Sequence, residues 1–563
     1  MATLPERVDE RNHDKRNRNG KANIMHRRDF LRSGLAFGGA AAVGLTFHPR
    51  LLRAQGQAGV IRVIAEGSPN TLDPAGTGYN IPSVNITWNV YDRLVTFGQA
   101  PLTGPGQEGA FIYDYDNIVP QAAESYEIVE DGKVIRFKLR AGATFHDGSP
   151  VTADDVKWSL DRAVNVTTAK NQMGTGSMTD PAQFVVVDDS TIEVHVERAD
   201  RFTLPNLALL FPAIFNAKVA KEHATAEDPW ATEWLKTNVA GGGPYKLGNY
   251  QAGQQFVLEP FADWKNGDTT PTARILYQIV PQAASRRIAA ERGEADLVRD
   301  LPGRDIADLL SAGKVKVLGI SNPATVTYIA MNNNIAPFNN MKVRQAVAWS
   351  VPYQDMLDVV LYKRGTPMFG GPAEVTSTQW PSPLPYTQDL DKAKSLLAEA
   401  GFPDGFESTF SIDADDTTVA EPVATLMQEA LGKIGVKVRI DKIPAGQMGT
   451  LLTEKKLPLF IANAGAWLRS PDYFFRIFYQ GETRWNFGSY ANPEMIDIVA
   501  KARWETDPKK YDELVMRMIE LARTEVPVIP LWSAFQDTVM SEAIGGYTYM
   551  FHRSLELRHL TKA

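Results

Sequence analysis

Histidine is the side chain best suited to acid–base catalysis near neutral pH, and this sequence offers few useful histidines. The histidines after residue 58 are His146, His195, His223, His552 and His559. No two of them stand at the sequence spacing that is typical of metal ligands. The sequence therefore predicts no metal site built from protein side chains. His146, in the run 145–148 (Phe-His-Asp-Gly), is the one candidate base, although a single histidine in a turn more often has a structural role.

Other catalytic arrangements are absent or unsuitable. The sequence contains no G-x-S-x-G, Walker-type or H-E-x-x-H motif. Asp154 and Asp155 are adjacent, so on a helix their side chains point about 100° apart and cannot face one substrate. The glycines 241–243 could cradle a phosphate, but Pro244 lacks an N–H donor, so a tight turn is the better interpretation. We therefore expect no catalytic residue and no cofactor.

Composition narrows the class of protein. The chain has 563 residues, 44% hydrophobic and 22% charged, which is typical of a globular protein of several domains. It has no cysteine, which excludes disulfides, thiolate metal ligands and a thiol nucleophile. Residues 1–58 carry 11 Lys/Arg against 5 Asp/Glu, whereas the remainder carries 48 against 61. Because phosphate binding needs clustered cations, we expect no nucleic-acid partner for this acidic body.

The basic N-terminal segment has the pattern of an export signal. Residues 26–32 (His-Arg-Arg-Asp-Phe-Leu-Arg) match the twin-arginine motif, and the uncharged stretch 33–47 that follows is too short for a membrane span. Small residues favour cleavage after Ala54 or Ala58. We therefore predict a twin-arginine signal region over 1–58, the twin-arginine translocase as a partner during export, and a periplasmic mature protein without a membrane anchor.

Strand and helix patterns alternate along the rest of the chain. Val60–Ala65 is rich in β-branched residues and predicts a buried strand, and 126–139 predicts a hairpin about Asp131-Gly132. Thr152 is placed to cap a helix that has acidic residues in its first turn. Helices are also predicted over 391–400 and 423–434, each closed by glycine, with a strand over 436–440. This order favours α/β lobes around mainly parallel sheets, with an added α+β subdomain.

Nine sequence blocks stand together in an order that resembles one known family. The blocks are Glu66–Pro74, Tyr91–Val95, Pro120–Tyr126, the run of Phe137–Arg140, Phe145–Gly148 and Thr152–Val156, Gly243–Tyr245, Arg292–Asp296, Val343–Ala346, Ala393–Phe402 and Pro527–Leu531. Together they resemble the extracytoplasmic solute-binding proteins of ABC importers, of the peptide/nickel/opine class known as family 5. The resemblance covers essentially the whole chain after the signal region.

The resemblance implies a two-lobed α/β periplasmic-binding-protein fold, type II-like, with an extra α+β subdomain in the first lobe. The expected bounds are 59–300 for lobe I with a subdomain at 97–240, 301–530 for lobe II, and 531–563 for a return to lobe I. It also implies a monomer that is not an enzyme and that delivers a small polar solute to an inner-membrane ABC permease. A periplasmic hydrolase and a receptor or chaperone module remain the alternatives.

The resemblance also suggests which residues contact the solute. They are Glu66, Gly67, Ser68, Tyr79, Trp467, Arg469, Trp485 and Asn486. In peptide-binding members an aspartate before a P-D-x-F segment holds the ligand's amino group, and alignment on 471–474 places Trp467 there, with no acid within 465–470. A buried ammonium without its carboxylate is penalised. We therefore expect an opine-like conjugate, a sugar derivative or a peptide-like compound, with Arg469 available for an anionic group.

Overall fold

The computed structural model describes residues 59–267, 273–321, 324–550 and 554–563, so the predicted signal region 1–58 lies outside the described residues. The strands are β1 (Val60–Ala65), β2 (Val95–Pro101), β3 (Phe111–Pro120), β4 (Ala123–Val129), β5 (Val134–Leu139), β6 (Phe184–Asp188), β7 (Thr191–His195), β8 (Tyr245–Gln251), β9 (Gln255–Pro260), β10 (Arg274–Ile279), β11 (Leu297–Arg299), β12 (Lys316–Ser321), β13 (Thr325–Met331), β14 (Gly365–Pro367), β15 (Glu407–Asp413), β16 (Lys437–Ile443), β17 (Leu459–Gly465), β18 (Val528–Met540), β19 (Ile544–Gly545), β20 (Thr548–Tyr549), β21 (Leu555–Glu556) and β22 (Thr561–Lys562).

The helices lie mostly between the strands. They are α1 (Ile81–Val90), α2 (Ala153–Asn165), α3 (Thr167–Thr175), α4 (Thr203–Leu207), α5 (Ala217–Glu222), α6 (Thr232–Leu235), α7 (Ala283–Arg292), α8 (Gly303–Ala312), α9 (Met341–Ser350), α10 (Tyr353–Asp355), α11 (Leu390–Glu399), α12 (Ala420–Gly432), α13 (Ala445–Thr453), α14 (Pro471–Phe478), α15 (Pro493–Ala502) and α16 (Pro508–Glu525). Over the described ranges, no helix has the length and apolar character needed to cross a membrane.

The local patterns in the sequence form the predicted elements. The predicted strand is β1, and β4 and β5 form the predicted hairpin, with Asp131 and Gly132 at positive φ in its turn. Thr152 caps α2 in a capping box, because its hydroxyl accepts from the Asp155 N–H at 3.3 Å while the Asp155 carboxylate accepts from the Thr152 N–H at 3.0 Å. Asp155 therefore stabilises a helix end. The helices predicted at 391–400 and 423–434 are α11 and α12, with ends shifted by a few residues.

One large sheet carries most of the molecule. Its strand order is β16-β15-β17-β13-β18-β11-β1-β10-β9-β8, with β12 and β14 also paired to β18. Small sheets β4-β5-β7-β6 and β2-β3-β20-β21 accompany it. We call the part built on β1 and β8–β12, with the two small sheets and helices α1–α8, the first lobe, and the part built on β13–β17, with helices α9–α16, the second lobe.

The prediction of mainly parallel sheets is wrong. Strand β1 is parallel to β10 and β11, and β15 is parallel to β16 and β17. The remaining pairs of the large sheet are antiparallel, since β8, β9 and β10 form a meander and β18 runs against every strand beside it. Within this sheet, parallel pairing is therefore confined to the strands on either side of β1 and of β15.

Strand β18 joins the two lobes. Its residues 528–534 pair with β13 and β14 of the second lobe, and its residues 535–540 pair with β12 of the first lobe. Strand β12 follows the expected lobe boundary at residue 300 in the sequence. It nevertheless pairs with the same end of β18, residues 538–540, as the first-lobe strand β11 does. The chain thus passes between lobes after β12 and again within β18, two segments that we call the hinge. The domain bounds at 300 and 530 stay predictions.

Candidate ligand-binding site

Three aromatic side chains meet where the two lobes face each other. The rings of Phe211 and Trp467 lie edge to face with centroids 5.0 Å apart, and Tyr79 lies 5.9 Å from Phe211 and 6.2 Å from Trp467. Phe211 is buried, whereas Tyr79 and Trp467 are half-buried. Tyr79 and Phe211 belong to the first lobe and Trp467 to the second, so this aromatic cluster is assembled only when the lobes are together.

The loop before α1 fixes the position of Tyr79. The next residue, Asn80, caps α1 by accepting from the Ser83 N–H at 3.0 Å, and its amide donates to the Ser68 carbonyl at 2.9 Å. A side chain at Gly67 would approach Pro82 Cγ to 2.9 Å, so the close packing of this loop against α1 requires glycine there. The predicted residues Gly67 and Ser68 therefore support Tyr79 through backbone geometry.

Trp467 lies just beyond the end of β17, close to the hinge. The Ala466 N–H donates to the Ala324 carbonyl at 3.1 Å, which ties the Trp467 loop to the segment that enters the second lobe. The Tyr473 hydroxyl is hydrogen-bonded to the Trp467 backbone and donates to Gln172 Oε1 of the first lobe at 3.0 Å. The position of the tryptophan is therefore linked to contacts on both sides of the cleft.

The wall formed by these residues is uncharged. Burial raises the pKa of Tyr79, and the neighbouring Tyr473 raises it further. Burial also raises the pKa of Tyr473. Both phenols are therefore neutral hydrogen-bond donors at physiological pH, beside apolar ring faces that suit a sugar ring or the carbon skeleton of a polar solute.

Glu66 lies at a separate, charged part of the first lobe. Its carboxylate pairs with the buried Arg286 guanidinium at 2.8 Å but remains 58% exposed, and its N–H donates to Asp300 Oδ2 at 3.1 Å. Glu66 follows β1 and Asp300 follows the neighbouring parallel strand β11, so both acids stand at the carboxyl edge of this part of the sheet. Ligands of α/β sheets commonly bind at that edge.

The other predicted residues are not brought to the aromatic cluster. Arg469 is exposed, and Trp485 is 46% exposed with its ring 5.8 Å from Phe487. Asn486 is buried and closes its own loop, because its amide donates to the Gly481 and Tyr490 carbonyls at 2.6 and 2.8 Å and accepts from the Tyr490 N–H. Asn486 is thus occupied in shaping the loop that carries Trp485.

A polar contact between the lobes was not foreseen from the sequence. Arg503 of the second lobe donates to the buried Asp200 carboxylate at 2.6 Å and to the Thr175 carbonyl at 3.1 Å. Arg201 of the first lobe reaches back to the Ala502 carbonyl at 3.1 Å and to the Glu505 carbonyl. We call this set the rim contact. The sequence does not indicate which charged residues will pair with each other across a cleft.

The structure bears on the candidate base His146 and on clusters of potential metal ligands. In the ranges that the structure describes, no three His, Asp or Glu side chains cluster in a way that could hold a metal ion. His146 Nε2 lies 3.0 Å from the Gly243 carbonyl, which requires this nitrogen to carry a proton, and burial lowers its pKa to about 4. His146 therefore secures the glycine turn at 241–243 and has the structural role.

Comparison with known proteins identifies the family. The family model "Bacterial extracellular solute-binding proteins, family 5 Middle" matches residues 117–486. The probable D,D-dipeptide-binding periplasmic protein of Escherichia coli is 28% identical over 493 residues, covering 85% of this chain and 90% of the relative. Heme-binding protein A of Haemophilus influenzae is also 28% identical, covering 84% of this chain and 86% of the relative.

Solved structures share the fold. A binding protein from A. tumefaciens R10 in complex with agropinic acid has a TM-score of 0.71 at 22% identity, covering 90% of this chain and 99% of that one. Another from the same source, in complex with mannopinic acid, has a TM-score of 0.70 at 24% identity over 90% and 99%. These similarities confirm the two-lobed α/β fold. The chain belongs to the bacterial extracellular solute-binding proteins of family 5, the periplasmic, non-enzymatic components that supply solutes to ABC importers.

Proposed function

We propose that this protein captures a solute carrying a sugar-like or opine-like portion, which lies against the aromatic cluster as the lobes close. The observation that supports this is the position of Trp467, in contact with Phe211 and Tyr79 across the cleft. By the alignment on 471–474, peptide-binding members hold their amine-binding acid at this position. An aromatic ring there offers stacking area in place of a counter-charge.

The nearest acid to Trp467 along the chain, Asp472, is buried within the second lobe, and its Oδ2 has no hydrogen-bond partner among the described residues. Asp472 Oδ1 accepts from the Ser470 hydroxyl at 2.7 Å and from the Tyr511 hydroxyl at 2.6 Å. We therefore infer that Asp472 does not replace the missing amine-binding aspartate. Relatives and neighbours are named for D,D-dipeptide, glutathione, agropinic acid and mannopinic acid. Among these, the opines combine an amino-acid portion with a sugar-derived portion, as the aromatic cluster favours.

Calorimetry with Trp467→Ala tests this proposal. Removing a buried aromatic anchor should cost about 1–3 kcal/mol of binding, a rise in Kd of about 5- to 150-fold for mannopinic acid or a related conjugate. Trp349→Ala, another partly buried tryptophan of the second lobe that packs on Tyr386, is the matched control and should leave Kd unchanged. An unchanged Kd in Trp467→Ala, or tight binding of ordinary dipeptides by the unmodified protein, would contradict the proposal.

We also propose that the protein reaches the periplasm through the twin-arginine translocase. Changing Arg27 and Arg28 to lysine should leave the precursor in the cytoplasm, because a lysine keeps the charge but not the planar guanidinium. Changing Arg16 and Arg18 to lysine is the control and should not affect export. Periplasmic accumulation of the first double variant would exclude the twin-arginine route.

We propose that the mature protein is a monomer. A binding protein whose lobes close on one solute needs no second copy to complete its site. Light scattering coupled to size-exclusion chromatography should give the mass of one mature chain, both with and without solute. A stable dimer in either state would contradict this part of the proposal.

A further inference from the structure

A cavity of about 420 Å³ lies beside β18, at the hinge. Its walls come from both lobes: the segment 300–304 between β11 and α8, the segment 360–364 before β14, the start of α12, and β18 itself. A volume of this size lies in the range of sites for small organic ligands. We call it the hinge cavity. No residue of the aromatic cluster lines it.

The hinge cavity is lined by equal numbers of positive and negative side chains. Arg364 and Asp537 form an ion pair in its wall, with Arg364 Nε 3.1 Å from Asp537 Oδ2. Arg304 and Asp300 are exposed. Over the part of the chain that the structure describes, Arg304 has no ion-pair or hydrogen-bond partner, and Asp300 uses one carboxylate oxygen for the Glu66 N–H. One guanidinium and one carboxylate oxygen are therefore available to a solute.

The backbone adds positive potential to the same walls. Helix α8 begins at the hinge cavity, through Gly303, and has no side-chain cap on its first N–H groups. Unpaired N–H groups and the helix dipole both favour an anion at such a position. Because the walls of the hinge cavity come from both lobes, an anion held at the start of α8 would lie between the lobes.

We propose that the hinge cavity binds an amino-acid head group, that is, an ammonium and a carboxylate on the same carbon. Arg304 and the start of α8 receive the carboxylate, and Asp300 receives the ammonium. The Arg364–Asp537 pair already neutralises itself and holds the wall. This inference rests on the proposed function, because it supplies the second half of a conjugate whose sugar-like half lies at Trp467. An ordinary dipeptide separates its ammonium and carboxylate and does not match.

The proposal accounts for a concentration of unusual backbone at this cavity. Asp300, Tyr362 and Lys363 have φ of 59°, 52° and 61°, the left-handed region that non-glycine residues seldom adopt. Such conformations cost about 1–3 kcal/mol each and persist where the surroundings enforce them, often at ligand clamps. At residue 300 the conformation directs the Asp300 carboxylate back to the Glu66 N–H.

Calorimetry with two charge-neutralising variants tests the proposal. Arg304→Gln and Asp300→Asn should each weaken binding of mannopinic acid and glutathione about tenfold or more. Asparagine tolerates a positive φ as well as aspartate does, so the fold is retained. Arg292→Gln and Glu294→Gln remove an exposed pair on the same lobe, 3.6 Å apart, and should leave Kd unchanged.

Two glutathione analogues separate the two charges. Glutaryl-cysteinyl-glycine lacks the head-group ammonium, and 4-aminobutyryl-cysteinyl-glycine lacks the head-group carboxylate. The proposal expects Asp300→Asn to have no effect on the first analogue and Arg304→Gln to have no effect on the second. Equal weakening of all three compounds by either variant would overturn the assignment of charges to residues.

Failure of this inference is distinguishable from failure of the proposed function. If Trp467→Ala weakens binding while Arg304→Gln and Asp300→Asn do not, the hinge cavity is not the head-group site and the proposed function stands. If the unmodified protein binds neither mannopinic acid nor glutathione but binds an uncharged sugar derivative, the hinge-cavity proposal is likewise overturned. Weakening by all three variants supports both proposals.

Discussion

At the hinge the two lobes share one strand, whereas at the rim contact they meet through side chains. Residues 528–540 of β18 carry ladder hydrogen bonds to strands of both lobes. The rim contact depends on Arg503 and Arg201, each reaching across to the opposite lobe. Separation of the lobes at the rim would break the bonds of Arg503 and Arg201 but would leave the ladder bonds of β18 in place. The rim contact is therefore where closure is stabilised, and the hinge is where it is guided.

Loss of the Arg503 side chain should have the largest effect on closure. Asp200 is fully buried, and Arg503→Ala removes its guanidinium partner, which for a buried pair costs about 3–5 kcal/mol. Because each 1.4 kcal/mol is tenfold, closure should become at least about 100-fold less favourable. In the presence of solute, small-angle X-ray scattering should show a larger radius of gyration for Arg503→Ala than for the unmodified protein.

Lys501→Ala is the matched control for Arg503→Ala. Lys501 also carries a positive charge on α15, but its pair with Asp497 is exposed, and such pairs contribute about 0–1 kcal/mol. Its scattering profile should match that of the unmodified protein. A closed, solute-bound profile for Arg503→Ala would show that the rim contact does not stabilise closure.

Acid should weaken the first lobe through His146. Burial lowers the pKa of His146 to about 4 from 6.5, so the unfolded state binds more protons between these pH values. Stability is therefore full above pH 6.5 and is lost as pH falls toward 4, by about 3 kcal/mol for this group. Urea unfolding at several pH values should show a smaller acid-induced loss in His146→Gln, whose amide can still donate to the Gly243 carbonyl. Equal pH dependence in both proteins would contradict this assignment.

A single hydrogen bond between the lobes tests the comparison at a smaller scale. Tyr473→Phe removes the hydroxyl that donates to Gln172 Oε1 at 3.0 Å, which should disfavour closure by about 1 kcal/mol and raise Kd about fivefold. Tyr353→Phe removes a buried hydroxyl bonded to the Ala348 carbonyl within the second lobe, so it should reduce stability without raising Kd. The same rise in Kd in both variants would mean that the loss arises from stability and not from closure.

The smallest effect is expected at the hinge. Thr366→Val removes the hydroxyl that donates to Ser321 Oγ at 2.8 Å but leaves the pairing of β14 with β18 intact. Stability should fall by about 1 kcal/mol or less, and the scattering profile with solute should not change. If Thr366→Val opened the cleft as much as Arg503→Ala, side chains at the hinge would control closure and the comparison would be wrong.

Much of the fold was readable from the sequence because local rules determine it. The turn at Asp131-Gly132 and the cap at Thr152 each need only a few neighbouring residues, and both elements have the predicted form. The mixed direction of the large sheet was not predicted, because the pairing of β18 with β11 and β12 joins residues more than 200 positions apart. Periodicity along one segment holds no information about such partners.

The candidate site was predicted in part for similar reasons. Tyr79 and Trp467 were both singled out, and the structure places them in contact. Phe211 was missed, since it lies in an apolar run that is typical of ordinary core. Asp200 and Arg503 were missed because a charged residue in sequence gives no indication of whether it will be buried with a partner. The solute-contact roles of the predicted residues stay predictions until binding is measured.

The shared strand β18 also has a consequence for how the protein is made. Both lobes of the large sheet take backbone partners from residues 528–540, so a nascent chain that has not yet emerged to that point leaves β11, β12, β13 and β14 without this neighbour. The two lobes therefore cannot each complete folding in turn on the ribosome, because both need β18. This last strand of the large sheet must be inserted between two partly formed lobes, and chaperone protection of their exposed strand edges should matter most in that interval.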